Sequence, residues 1–302
     1  KVYASTDPDA IPEDVPVAMA DISDLKMTII TNDPAKRYYY TLLFGDKYRV
    51  KIATRNVNIP GIQNFRDLGG YPSYSTKKQV RWGMIYRSAE IDSLECYSRR
   101  ELRNLGIKTL IDLRTSSETG RQSPLQKEFN VVHIPLATGD MENILKGIRE
   151  EKIKSDTVYR MVEQMNRDLI DKYTTEYRQI FDILLDKNSY PVVIHCSSGK
   201  GRTGIVSALV LAALGINEDI IMEDYRLSND YFNIPSASKD AYQLPARSQE
   251  AITTLFSARE DFLNAAKEEA ECRYGDIDTY LQKGIGLNKN EIKRLRSILL
   301  SD

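Results

Sequence analysis

One stretch constrains this chain more than any other: Pro191-Val-Val-Ile-His-Cys-Ser-Ser-Gly-Lys-Gly-Arg-Thr-Gly204. It reads as a buried-type strand over Pro191–His195, a tight loop, and an apolar helix over 202–214 closing at Gly215. A helix start leaves backbone N–H groups unpaired, and its dipole favours an anion. Gly199 and Gly201 are expected at positive φ, curling the loop so that successive amides face one point. Such a nest stabilises a thiolate at Cys196 as well as a phosphate. Helix N-termini and nearby cations lower a cysteine pKa from about 8.5 to roughly 3.5–7.5. Five residues separate Cys196 from Arg202, whose planar fork binds two phosphate oxygens in a way lysine cannot copy.

The chemistry this implies is cleavage of a phosphate monoester by a cysteine nucleophile. The amides of Ser197, Ser198, Gly199, Lys200, Gly201 and Arg202 would hold the phosphate. Thr203 would stabilise the sulfur as a leaving group, and His195 would position the cysteine through hydrogen bonds. A carboxyl group must protonate the leaving oxygen and later activate water. Asp112 ends the strand Lys108–Asp112, and strand C-terminal ends line one crevice in a parallel sheet. Asp140, in the loop after the strand Asn130–Pro135, is the alternative acid. The same residues also spell G-x-G-x-x-G over Gly199–Gly204, a dinucleotide-binding signature. The acidic residues that would follow it, Glu218 and Asp219, fall in a helix start, and that reading leaves Cys196 and Arg202 without roles.

From residue 57 onward strands alternate with helices, which predicts an α/β fold: a mostly parallel central sheet flanked by helices. Helices are expected at 94–105, 156–186, 248–273 and 289–300, with another capped by Asn217. Residues 1–56 read as a separate, small β-rich module. It has an extended lead-in over 1–20, strands at Met27–Thr31, Arg37–Phe44 and Tyr48–Ala53, and turns at Asn32-Asp33-Pro34 and Gly45-Asp46. Alternating strand faces account for Tyr38-Tyr39-Tyr40.

A formal net charge of -1 argues against nucleic acid as a partner. No apolar run approaches a membrane span of about 18 residues. Cys96, Cys196 and Cys272 do not make a disulfide framework, and Cys96 and Cys272 read as packing residues. His133 and His195 lack metal-ligand spacing, so neither metal nor cofactor is expected. The chain begins at Lys1 and opens on a β module, which points to export, periplasmic or extracellular, with the cytoplasm as the alternative.

His195-Cys196-x-x-Gly199-Lys200-x-Arg202-Thr203-Gly204 resembles the loop of the protein tyrosine phosphatase superfamily. Asn64-Phe-Arg-Asp-Leu-Gly-Gly70, Trp82-Gly83 with Tyr86-Arg-Ser88, and Asp112-Leu-Arg114 are similar to the bacterial tyrosine/serine phosphatase family, as are Asp224-Tyr225 with Ser228-Asn229. The resemblance covers about 57–300. It implies a nucleophile at Cys196, a clamp at Arg202, an acid at Asp112, and a phosphate-binding lysine at Lys200. It departs at Gly201, where many members carry aspartate. The substrate implied is phosphotyrosine in proteins, with phosphoserine as a second target. An inositol phosphate or phosphoinositide, with Lys200 as the extra cation, is the alternative, and a phosphate-binding module without turnover is the remote one. Arg66 and Asp67 are expected to pair as a buried support, with Arg87 and Arg114 as ion-pair partners.

Overall fold

The computed structural model describes all residues except 32, 34, 35, 93, 120–123, 239 and 302. A first sheet is built from β1 (Val2–Ser5), β2 (Tyr39–Phe44) and β3 (Tyr48–Ala53), in that order and all antiparallel. The expected strand at Met27–Thr31 is absent. Its place is taken by β1, from the segment read as a lead-in. Val2 and Tyr3 are buried, whereas Ile30 is 89% exposed; pairing with β2 supplies the partner that local apolar pattern alone cannot. The β2–β3 hairpin turns at Gly45 and Asp46, both at positive φ, the backbone twist that suits a two-stranded ribbon. The expected turn at Asn32-Asp33-Pro34 lies partly outside the described residues.

The chain then forms β4 (Arg66–Asp67), β5 (Pro72–Ser73), β6 (Lys78–Val80) and β7 (Ile85–Ser88). Next come α1 (Cys96–Asn104), β8 (Thr109–Asp112), α2 (Ser116–Thr119) and β9 (Asn130–His133). Three helices, α3 (Met141–Arg149), α4 (Ser155–Lys172) and α5 (Thr174–Leu184), lead to β10 (Val192–His195) and α6 (Gly201–Ala213). The remainder is helical: α7 (Glu218–Arg226), α8 (Ser228–Tyr231), α9 (Ile234–Ala237), α10 (Ala246–Phe256), α11 (Glu260–Tyr274), α12 (Ile277–Thr279) and α13 (Lys289–Leu299). A last strand, β11 (Leu300–Ser301), closes a small sheet with β6 and β5.

The central sheet has the order β4-β7-β10-β8-β9. Its last four strands are parallel and β4 is antiparallel to β7. Strand alternation sends Val192 and Ile194 into a core with α4, α5 and α6, and Val193 into a second core with Leu102 of α1. Fully burying one such side chain contributes about 1.5–3 kcal/mol, so β10 is fixed from both faces. A third cluster joins Ile144 and Ile148 of α3, Val158 and Val162 of α4, and Ile252 and Leu255 of α10. Its Val162 and Leu255 line the same cavity as Cys196, the residue after β10.

The first sheet is held to the rest by Arg37, which donates to Asp67 Oδ2 at 2.7 Å and to the Tyr86 hydroxyl at 2.7 Å. Arg66 and Asp67 do not pair with each other. Neighbours on a strand point to opposite faces, so Asp67 turns to Arg37 and Arg66 to Asp224. Among the described residues no helix is long and apolar enough to cross a membrane.

Candidate active site

Cys196 follows the last residue of β10, and α6 begins five residues later at Gly201. The peptides between them form the curled loop expected from the sequence. Gly199 has φ of +67°, and a side chain there would strike the Ser88 backbone at 2.4 Å. Gly201 differs from expectation: it opens α6 without positive φ, and a Cβ there would meet nothing within 4 Å. The curl therefore needs one glycine, and position 201 has room for a side chain.

Cys196 is buried. Burial alone would raise its thiol pKa, but the Arg202 charge, Thr203 and the Gly199 backbone N–H overcome this and hold it below the ordinary value. The Thr203 hydroxyl is buried without a hydrogen-bond partner, and it lies close enough to Cys196 to help lower the thiol pKa. His195 Nδ1 is buried without a hydrogen-bond partner and lies 3.9 Å from Asp112 Oδ1. Burial pushes its pKa down to about 4, so the ring is neutral.

Arg202 is engaged by Glu118, which lies outside the 191–204 motif. Its two terminal nitrogens donate to Glu118 Oε1 at 2.6 Å and Oε2 at 2.7 Å. Ser197 Oγ donates to the same carboxylate at 2.6 Å. Burial would raise the Glu118 pKa, but the bonds from Arg202 and Ser197 bring it down to about 2. The signal was present in Thr115-Ser-Ser-Glu118, a capping-box pattern; Thr115 N indeed donates to Glu118 at 2.8 Å.

Lys200 also departs from expectation. Its ammonium donates to the carbonyls of Leu255 at 2.6 Å and Ser257 at 2.9 Å, at the end of α10. Helix-end carbonyls lack intrahelical partners, and Lys200 satisfies these two; burial lowers its pKa to about 7.

Asp112 lies beside His195 in the β8–β10 register. Its carboxylate takes bonds from Arg114 at 2.8 and 3.0 Å. Burial raises its pKa, yet the hydrogen bonds and charge of Arg114 leave it below the ordinary value. Arg114 is shared with Asp92 at 2.6 Å. Asp140 is exposed and caps α3, with Oδ1 accepting from Asn143 N at 3.0 Å. Among the described residues no group of three or more His, Cys, Asp or Glu is placed to hold a metal.

A cavity of about 70 Å³ lies over the sulfur, lined by Cys196, Ser198, Lys200, Arg202, Met141 and Phe256 together with other apolar residues of α4 and α10. A larger cavity of about 520 Å³, between α6, α7 and α11, contains no nucleophile. Chemistry, not volume, locates the site.

Residues 57–301 match the family described as the tyrosine phosphatase family. The chain is similar to the triple specificity protein phosphatase PtpB of Mycobacterium tuberculosis, with 30% identity over 80% of this chain and 98% of that protein. It is also similar to a putative tyrosine-protein phosphatase of Cupriavidus necator, 25% identical over 77% of this chain and 85% of that one. Among solved structures, the Siw14 catalytic core covers 70% of this chain and 95% of its own, at 16% identity and a TM-score of 0.34.

Proposed function

This chain belongs to the tyrosine phosphatase family, and we propose that it hydrolyses phosphotyrosine in proteins with Cys196 as nucleophile and Arg202 as phosphate clamp. Membership makes it a cysteine-dependent phosphoric monoester hydrolase. The observation that supports the substrate is the lining of the Cys196 cavity. Met141, Val162, Met165, Leu169, Leu255 and Phe256 line the cavity beside Cys196, Lys200, Arg202 and Asn166. An aromatic leaving group gains from burial against such residues; a polyanion would lose its hydration there. The inositol phosphate reading needs Lys200 as an extra cation, and that ammonium is tied to the α10 carbonyls.

The reaction runs in two steps. The Cys196 thiolate attacks phosphorus in line, forming an S–P bond as the P–O bond to the tyrosine oxygen breaks. Arg202 and the loop amides hold the charge on the equatorial oxygens, the main catalytic contribution in phosphoryl transfer. Asp112 gives its proton to the leaving oxygen. Water, deprotonated by the same carboxylate, then cleaves the S–P bond and releases inorganic phosphate. Asp112 is favoured over Asp140 because its charge is felt by Arg202, while Asp140 caps α3. A dianionic substrate beside Asp112 raises its pKa by like-charge repulsion, which returns the proton the step requires. Ligand pockets run to about 300–1,000 Å³, and the cavity over the sulfur is small beside them at about 70 Å³.

A substrate panel tests this reading. Phosphotyrosine peptide is expected to be turned over at least tenfold more efficiently than inositol hexakisphosphate or a phosphoinositide, in the presence of EDTA. A preference for either inositol compound would overturn the substrate assignment.

A further inference from the structure

Behind the catalytic loop, away from the sulfur, lies a cluster of charged and polar side chains that the reaction does not touch. Arg66, Arg87 and Asp224 are each no more than 1% exposed, and Asn64 and Ser228 are 2% exposed. Arg87 donates to Asp224 Oδ2 at 2.6 Å and, through its other terminal nitrogen, to the Gly199 carbonyl at 2.8 Å. Arg66 donates to the Asp224 carbonyl at 2.7 Å and, with its other terminal nitrogen, to Asn64 Oδ1. That bond fixes which way the Asn64 amide faces. Its nitrogen donates to the carbonyls of Ser198 and Gly199, both at 3.1 Å. The Tyr71 hydroxyl completes the set at 2.9 Å from Asp224 Oδ1.

We propose that Asp224 is a positioning residue for the catalytic loop, acting through Arg87, Arg66 and Asn64 to pin the Ser198 and Gly199 carbonyls away from the substrate. The physical link is the planar trans peptide, in which C=O and N–H point in opposite directions. Holding the Ser198 carbonyl outward turns the Gly199 N–H inward, toward the sulfur. Holding the Gly199 carbonyl outward does the same for the Lys200 N–H. Burial would raise the Asp224 pKa, but Arg66 and Arg87 hold it at about 2, so the anchor stays charged at every working pH. Only a group buried with two guanidiniums can keep both arginines aimed at once; neither Arg66 nor Arg87 touches the cavity.

The inference rests on Cys196 being the nucleophile, and its test separates the two. Asn64→Gly removes the amide clamp together with the acceptor it offers Arg66, and glycine keeps the backbone φ of +56° without strain. Asp224→Asn removes the anchoring charge. For wild type and both variants, the rate of iodoacetamide inactivation is followed against pH, with kcat and KM for p-nitrophenyl phosphate and thermal melting in parallel. In Asn64→Gly the inflection for Cys196 alkylation is expected to rise by about one pH unit. Its kcat is expected to fall about 100-fold, the effect of losing one oxyanion donor, with KM changed less. Asp224→Asn shifts both in the same direction; if it does not fold, Asn64→Gly decides alone. A folded Asn64→Gly protein whose inflection and kcat match wild type overturns the proposal, even if its melting temperature falls. Failure of the nucleophile assignment looks different: the wild-type enzyme would keep its activity after alkylation at Cys196.

Discussion

Glu118 grips both terminal nitrogens of Arg202, at 2.6 and 2.7 Å, and takes a third bond from Ser197 of the same loop. The guanidinium that must hold a phosphate is thus already held by a carboxylate. A phosphate arriving at the loop meets a like charge, and removing that charge strengthens oxyanion binding. Glu118→Gln is expected to lower the inhibition constant for vanadate about tenfold, or about 1.4 kcal/mol. A weaker vanadate affinity in this variant would show that Glu118 orients Arg202 without competing for it.

Arg202→Lys keeps the charge and loses the fork. The loss of a preorganised donor costs about 10²–10³ in rate, and loss of bidentate geometry adds to it. A fall in kcat/KM of about a thousandfold for p-nitrophenyl phosphate is expected. A tenfold loss or less would mean that charge alone suffices.

Asp112→Asn is expected to lower kcat by about 10²–10⁴, the range for general acid catalysis, and to remove the basic limb of the kcat–pH profile. Asp140→Asn is expected to leave that limb in place and to weaken only the cap of α3. The opposite pattern would exchange their roles.

Acid stability follows from the anchoring carboxylate. Asp224 is held at about 2 in the fold, against about 3.9 unfolded. Its folded pKa is depressed, so its contribution is complete above about pH 4 and is lost as pH falls toward 2. The size is about 2–3 kcal/mol. The melting temperature of wild type is expected to drop through this window, and a variant lacking the Asp224 charge to drop less. Parallel acid profiles for the two would contradict the pairing.

Much of this site was legible because its parts are contiguous. Strand, loop and helix over 191–204 fix Cys196 next to Arg202 whatever surrounds them, and Gly215 and Asn217 mark the helix end and the next cap. What escaped the sequence depends on distant partners. Asp224 meets Arg66 and Arg87 across more than 130 residues, whereas adjacency suggests Arg66 with Asp67. Lys200 is loop-bound in sequence, but helix-end carbonyls 55 and 57 residues away claim its ammonium. Glu118 announces itself locally as a helix cap, and nothing nearby says that its carboxylate also reaches Arg202. Likewise β1 needs β2 to become a strand, while Met27–Thr31 has the stronger local pattern and no partner strand.

The central claim is that a sulfur kept ionised by the loop and Arg202 takes the phosphoryl group. The direct measurement is acid quench of the enzyme within milliseconds of mixing with a phosphorylated substrate, followed by peptide mass spectrometry. Expected is a phosphate adduct on the peptide bearing Cys196, absent from Cys196→Ser, which should also show no turnover. Steady hydrolysis by Cys196→Ser, or a phosphorylated residue elsewhere in the chain, would contradict it.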